Sequence, residues 1–131
     1  MICTCDTIPA LQWKEKQEHL ADADLQINLD KLEKGGSLCQ CFSLFTFLKG
    51  LKDETPFEHV RKLADLWKSE VERYPDRICQ IKTYADLMQV QKEGKIGAVM
   101  TVEEGGVYEA VSKNCTHCTI SVCGFHADLE L

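Results

Sequence analysis

Apolar residues recur along this chain with two different rhythms, and each rhythm predicts an element. Phe57, Val60, Leu63, Ala64, Trp67, Val71 and Tyr74 follow one another at three- and four-residue steps, the spacing of one face of a helix. Thr55 stands as N-cap, Pro56 suits the first helical position and Glu58 completes a capping box, so a helix is predicted over residues 56–75. Tyr74-Pro75-Asp76 ends it. A second helix is predicted over 84–93, with Thr83 as N-cap and Gly94 as the stop. A third runs from about Pro9 to Asp22, and Asn28 to Lys34 reads as a short helix closed by Gly35-Gly36. Two stretches instead read as buried strands: Leu38 to Phe45 and Ile96 to Val102. A short strand at Met1 to Cys5 completes the order strand, helix, strand, helix, strand. Near-continuous apolar strands separated by helices imply parallel pairing, the start of an α/β fold.

Composition narrows the function classes. The chain has 131 residues, 44% hydrophobic and 27% charged, which fits a soluble globular chain rather than a disordered one. Its 21 Asp and Glu outnumber 15 Lys and Arg, a balance that argues against a nucleic-acid partner. The richest apolar stretch, Ser37 to Leu51, is interrupted by Gln40, Ser43, Thr46 and Lys49, so no membrane segment is expected. The N-terminus lacks the basic-then-apolar order of a signal peptide, and a cytoplasmic location is the expectation. Eight cysteines are then the anomaly, and in such a setting they suggest metal or reactive thiols before disulfides.

Active groups of parallel α/β sheets sit just past the C-terminal ends of strands. Asp6 occupies such a position after the first strand; Glu103 and Glu104 occupy one after residues 96–102, followed by Gly105-Gly106. Carboxylates from neighbouring strand ends can jointly hold a divalent metal. The plainer reading is that Asp6 caps the next helix and the Glu pair is a solvated turn, and spacing alone favours it.

Longer motifs shift that balance. Cys5-Asp6-Thr7-Ile8, Asn28 to Gly36, Gln40 to Phe45, Glu72-Arg73-Tyr74-Pro75-Asp76-Arg77, and Gly94 to Ala98 running on to Glu103-Glu104-Gly105-Gly106 occur in one collinear order over about residues 3–109. This ordered set resembles the membrane (renal-type) dipeptidase family. The resemblance implies an amidohydrolase-like TIM (β/α)8 barrel holding two zinc ions and hydrolysing dipeptides. It implies that Asp6 is a metal ligand and that Glu103 or Glu104 bridges both metals; counting from the strand favours Glu103, counting back from the glycines favours Glu104. Two departures matter. The histidine of the family's His-x-Asp falls on Thr4. A barrel needs about 250 residues, so about three βα units are expected here and the later histidines are missing. The implied organisation is residues 1–109 as a partial barrel and 110–131 as an atypical Cys-rich tail. An unclosed barrel also exposes strand edges, so self-association is expected.

The tail admits two readings. Cys115, Cys118, Cys123 and His126 lie within twelve residues and can form a Cys3His zinc site, making a small zinc-binding or interaction module. Alternatively, codons read one base out of register permit the family's own continuation after Glu109. The same operation at the start restores a histidine at the position of Thr4. A frame-damaged fragment without catalysis of its own is therefore the expected state, with the enzyme assignment uncertain. Cys39, Cys41 and Cys79 read as buried core, His19 and His59 as surface residues of helices, and Trp13 and Trp67 as core. Sequencing the gene around both ends is expected to show the displaced frame; the same codons with no homologous frame downstream would overturn that expectation.

Overall fold

In the computed structural model, the described residues are 4–14, 17–22, 24–51, 53–103, 120–122 and 125–127. They form β1 (Thr4–Cys5), α1 (Thr7–Trp13), α2 (Leu29–Lys34), β2 (Cys39–Phe45), a 3-10 turn (Leu48–Gly50), α3 (Pro56–Arg73), β3 (Ile78–Gln80), α4 (Tyr84–Lys92), β4 (Ile96–Glu103), β5 (Ile120–Val122) and β6 (Phe125–Ala127). The strands make one sheet in the order β1-β2-β4-β5-β6, with β3 also paired to β4. All pairings are parallel except β5 with β6, which is antiparallel. The α/β reading therefore holds.

The central contact is β2 against β4, in register from Cys39↔Gly97 to Phe45↔Glu103. Strand side chains alternate between faces, so this register sorts the residues. Phe42, Leu44, Ala98 and Val102 fall on one face and join Ile8, Val60, Leu63, Ala64 and Trp67 in the buried core. Cys39, Cys41, Ser43 and Phe45 share the other face with Gly97, Val99, Thr101 and Glu103. What reads in the sequence as one apolar run is thus a large-apolar face alternating with a smaller, more polar one. Gly97 has a steric reason to lack a side chain: a Cβ there would lie 2.8 Å from Ile81 Cδ1.

The helix ends follow their caps. Glu58 N–H donates to Thr55 Oγ1 at 3.2 Å, and Thr55 N–H donates to the Glu58 carboxylate at 2.8 Å. The same reciprocal box closes α4 with Asp86 in the glutamate's place, since Asp86 N–H reaches Thr83 Oγ1 at 3.1 Å. Gly94 follows α4 with a φ of 70°, a conformation glycine adopts without steric cost.

Several expectations need correction. The helix expected over Pro9 to Asp22 is only α1, because the backbone at Lys14 turns extended, with a ψ of 135°. Trp13 is 63% exposed rather than core, since the helix ends before it can turn inward. Cys79 is exposed and Cys39 half-buried rather than core, because in β3 alternation turns Ile78 to the core and Cys79 to the opposite face, where Cys39 also lies. His59 is buried rather than a surface residue, on the inward-facing side of the first turn of α3.

The segment before α2 is irregular yet carries buried Leu20 and Leu25. A buried carboxylate holds it to the helix layer. Glu70, on α3 and 1% exposed, accepts the Leu20 N–H at 2.7 Å and lies 2.9 Å from His19 Nδ1. Arg73 Nε lies 3.4 Å from the same carboxylate. His19 is accordingly half-buried and outside any helix, against its expected place on one. A second clamp is exposed: Arg77 donates to Glu33 at 2.6 Å and 2.8 Å and to Asp30 at 2.6 Å, tying α2 to the turn after α3. The guanidinium holds both carboxyls below their usual range.

Removing the Glu70 acceptor strands a buried backbone N–H. Glu70→Ala is expected to lower unfolding free energy by about 2–4 kcal/mol, measured by urea denaturation, with Glu70→Gln losing less because one acceptor remains. A loss in Glu70→Ala below about 0.5 kcal/mol would show that the contact does not hold the segment.

Candidate functional site

The sheet's C-terminal rim is built by where the strands stop. β1 ends at Cys5, opposite Phe42, so Asp6 follows at the level of Ser43 and Thr101. β4 continues to Glu103, opposite Phe45, one full strand repeat beyond Thr101. With neighbouring strands about 4.8 Å apart, the Asp6 and Glu103 backbones lie on the order of 12 Å from each other across β2. Both expected carboxylates are therefore brought to one rim.

Their surroundings differ from those of a cap or a salt bridge. Asp6 is exposed and stands at the N-cap position of α1, yet its side chain makes no capping hydrogen bond. Glu103 is half-buried. Among the described residues neither carboxylate has a hydrogen bond or ion pair. The capping role weighed for Asp6 is thus not filled by its side chain. Thr4, where the family's histidine would fall, is exposed and pairs with Cys41.

The polar row between them was not singled out in the sequence. Ser43 and Thr101 are buried and in register on the same face as Glu103. Thr101 Oγ1 donates to the Phe42 carbonyl across the strands at 3.2 Å, whereas the Ser43 hydroxyl has no partner among the described residues. The period-2 alternation of small and large residues in Cys39–Phe45 was the available signal. Cys39 and Cys79 flank Gly97 in this face, each opposite it in register. Two strand spacings, about 9.6 Å, are too wide for a disulfide. Burial also pushes the Cys39 thiol up, away from thiolate chemistry.

The other expected ligands lie elsewhere. Glu104, Cys115, Cys118 and Cys123 fall outside the described residues, and of His126 only the backbone, in β6, is described. Among the described residues no three His, Cys, Asp or Glu side chains are grouped to hold a metal ion. Two carboxylates are suitable oxygen donors, but without an imidazole or a third donor they do not fit a complete two-metal centre. Among the described residues no helix is long and apolar enough to cross a membrane.

Comparison with known proteins adds a family and a fold. A family model described as Membrane dipeptidase (Peptidase family M19) matches residues 2–113. No curated protein matches the chain. A crystal structure of an amidohydrolase from Pseudomonas aeruginosa is similar with a TM-score of 0.53 at 14% identity, over 62% of this chain and 23% of that one. That likeness concerns the fold, and it takes in less than a quarter of the amidohydrolase. Together with the parallel sheet, it agrees with part of an amidohydrolase-like barrel.

The orphaned serine gives a local test. Ser43→Ala is expected to be neutral or to stabilise by up to about 1 kcal/mol in thermal or urea unfolding, because a buried hydroxyl without a partner carries only desolvation cost. A loss of more than about 1 kcal/mol would mean that the hydroxyl has a partner in the folded chain.

Proposed function

The chain belongs to the membrane dipeptidase family, and from that premise we propose that residues 4–103 are a scaffold unit of a zinc-dependent dipeptidase barrel. Dipeptides are the substrate class of the whole enzyme. In this unit Asp6 and Glu103 serve as metal-binding carboxylates, with Glu104 as the alternative to Glu103. The observation that carries the reading is a pair of carboxylates, without partners among the described residues, on the C-terminal rim of a parallel sheet, where barrel enzymes place their chemistry.

The missing donors set the expected activity. Two carboxylates committed to a cation leave neither of them free for proton transfer and give no grip on a peptide. The chain alone is therefore proposed to hydrolyse no dipeptide at a rate typical of the family. Its part is to position two ligands on a rigid sheet, with Ser43 and Thr101 between them.

Two measurements test this. Assayed alone with a simple dipeptide and added zinc, the chain is expected to match the protein-free blank; family-like turnover would overturn the inactive-scaffold reading. In a zinc titration against a chromophoric chelator, Asp6→Asn and Glu103→Gln are each expected to weaken uptake roughly tenfold, as loss of one charged ligand does. Glu104→Gln then decides which glutamate takes part. Uptake that survives these changes but disappears in a Cys115→Ser, Cys118→Ser variant would instead support the zinc-module reading of the tail.

A further inference from the structure

A second cleft, of about 560 Å³, lies where the C-terminal end of α1 meets the loop after β2 and the start of α3. Its volume falls in the range of small-molecule sites. Asp6 and Glu103 are not in its lining. Six side chains define its chemistry: Trp13, Phe47, Asp53, Glu54, His59 and Lys62.

The aromatic pair is the first unusual feature. Trp13 is 63% exposed and Phe47 57% exposed, although most large apolar side chains of the described fold are in the core. They come from separate elements, and both face this one cleft. Aromatic faces carry negative potential and attract organic cations.

The polar groups point the same way. Asp53 is exposed and has no hydrogen bond or ion pair among the described residues. Glu54 is engaged on both oxygens: Lys62 Nζ lies 2.5 Å from one and His59 Nδ1 lies 2.7 Å from the other. Lys62, and then His59, hold the Glu54 carboxyl below its usual range, so it is ionised and accepts from both. His59 is only 8% exposed, so this ring is held by packing as well as by Glu54. Among the described lining residues Lys62 is paired to Glu54.

We infer that this cleft binds a small hydrophobic ammonium ion, with the apolar body against Trp13 and Phe47 and the ammonium group directed to the Asp53 carboxylate. An anion would meet two carboxylates and a lysine already paired to Glu54. A neutral apolar molecule would cover the aromatics but leave Asp53 unanswered. An ammonium on an aromatic or aliphatic body uses both the aromatic faces and the carboxylate.

The test uses the full chain and 2-phenylethylammonium as probe. The chain has two tryptophans, and Trp67 is 1% exposed, so a change in exposed-tryptophan fluorescence reports on Trp13. A saturable change is expected. Ligand-observed NMR is then expected to show binding weakened about fivefold in Asp53→Asn and about tenfold in Trp13→Ala, magnitudes typical of an ionic and a cation–π contact. Both residues are exposed, so both variants are expected to keep the native unfolding midpoint, and Tyr84→Ala, on α4, is expected to bind as the parent does. The uncharged 2-phenylethanol is expected to bind about tenfold more weakly than the ammonium. Absence of saturation up to about 10 mM, equal affinity for the alcohol, or unchanged binding in Asp53→Asn would each overturn the inference.

Discussion

Seven consecutive residue pairs lock β2 to β4, and the remaining architecture answers to that register. Parallel pairing requires the chain to cross over between strands, which places α3 and α4 in the intervening sequence. Period-2 alternation then hands Phe42, Leu44, Ala98 and Val102 to the helix layer, where Leu63 and Trp67 are fully buried. The same register carries Glu103 to the rim and sets Ser43 beside Thr101. A slip of one residue would move all these groups to the opposite face together, placing leucine on the polar side and glutamate under the helices. Fold and candidate site therefore share one determinant.

Local signals were legible wherever the physics is local. The capping boxes at Thr55 and Thr83, the glycine stop at Gly94 and the apolar stripe of α3 depend on contacts within a few residues, and they emerge as read. Asp6 and Glu103 could also be placed, because strand ends and the turns that follow them are written in sequence order. The misjudged residues depend on long-range packing or on where an element stops. His19 was legible as a polar residue but not as a partner of Glu70, fifty-one positions away. Trp13 counts as core by composition, yet its fate was set by where α1 stops. His59 became buried because the turn it occupies packs inward, a property of how α3 lies on the sheet rather than of its own neighbours.

Two carboxylates, one buried and one half-buried, illustrate how placement separates structure from chemistry. Glu70 and Glu103 are the same residue type in the same layered fold. Glu70 is enclosed by a backbone N–H, an imidazole and a guanidinium, which together satisfy an ion that water cannot reach. Glu103 has no such company among the described residues and sits at an open strand end. No sequence pattern distinguishes them, because the distinction lies in what other segments bring. The same comparison holds between Asp86, consumed by its cap, and Asp53, which lines a cleft and has no partner among the described residues.

Ile81 fills the space that a side chain at Gly97 would take, at the opposite end of the inner sheet face from Glu103. Hydrocarbon therefore packs the lower end of that face, hydroxyls occupy its middle, and carboxylates stand at its upper rim. The middle of that face is its most buried level, with Ser43 at 0% and Thr101 at 3% exposure. A cation is therefore most stable at the rim, where carboxylates and solvent meet it together.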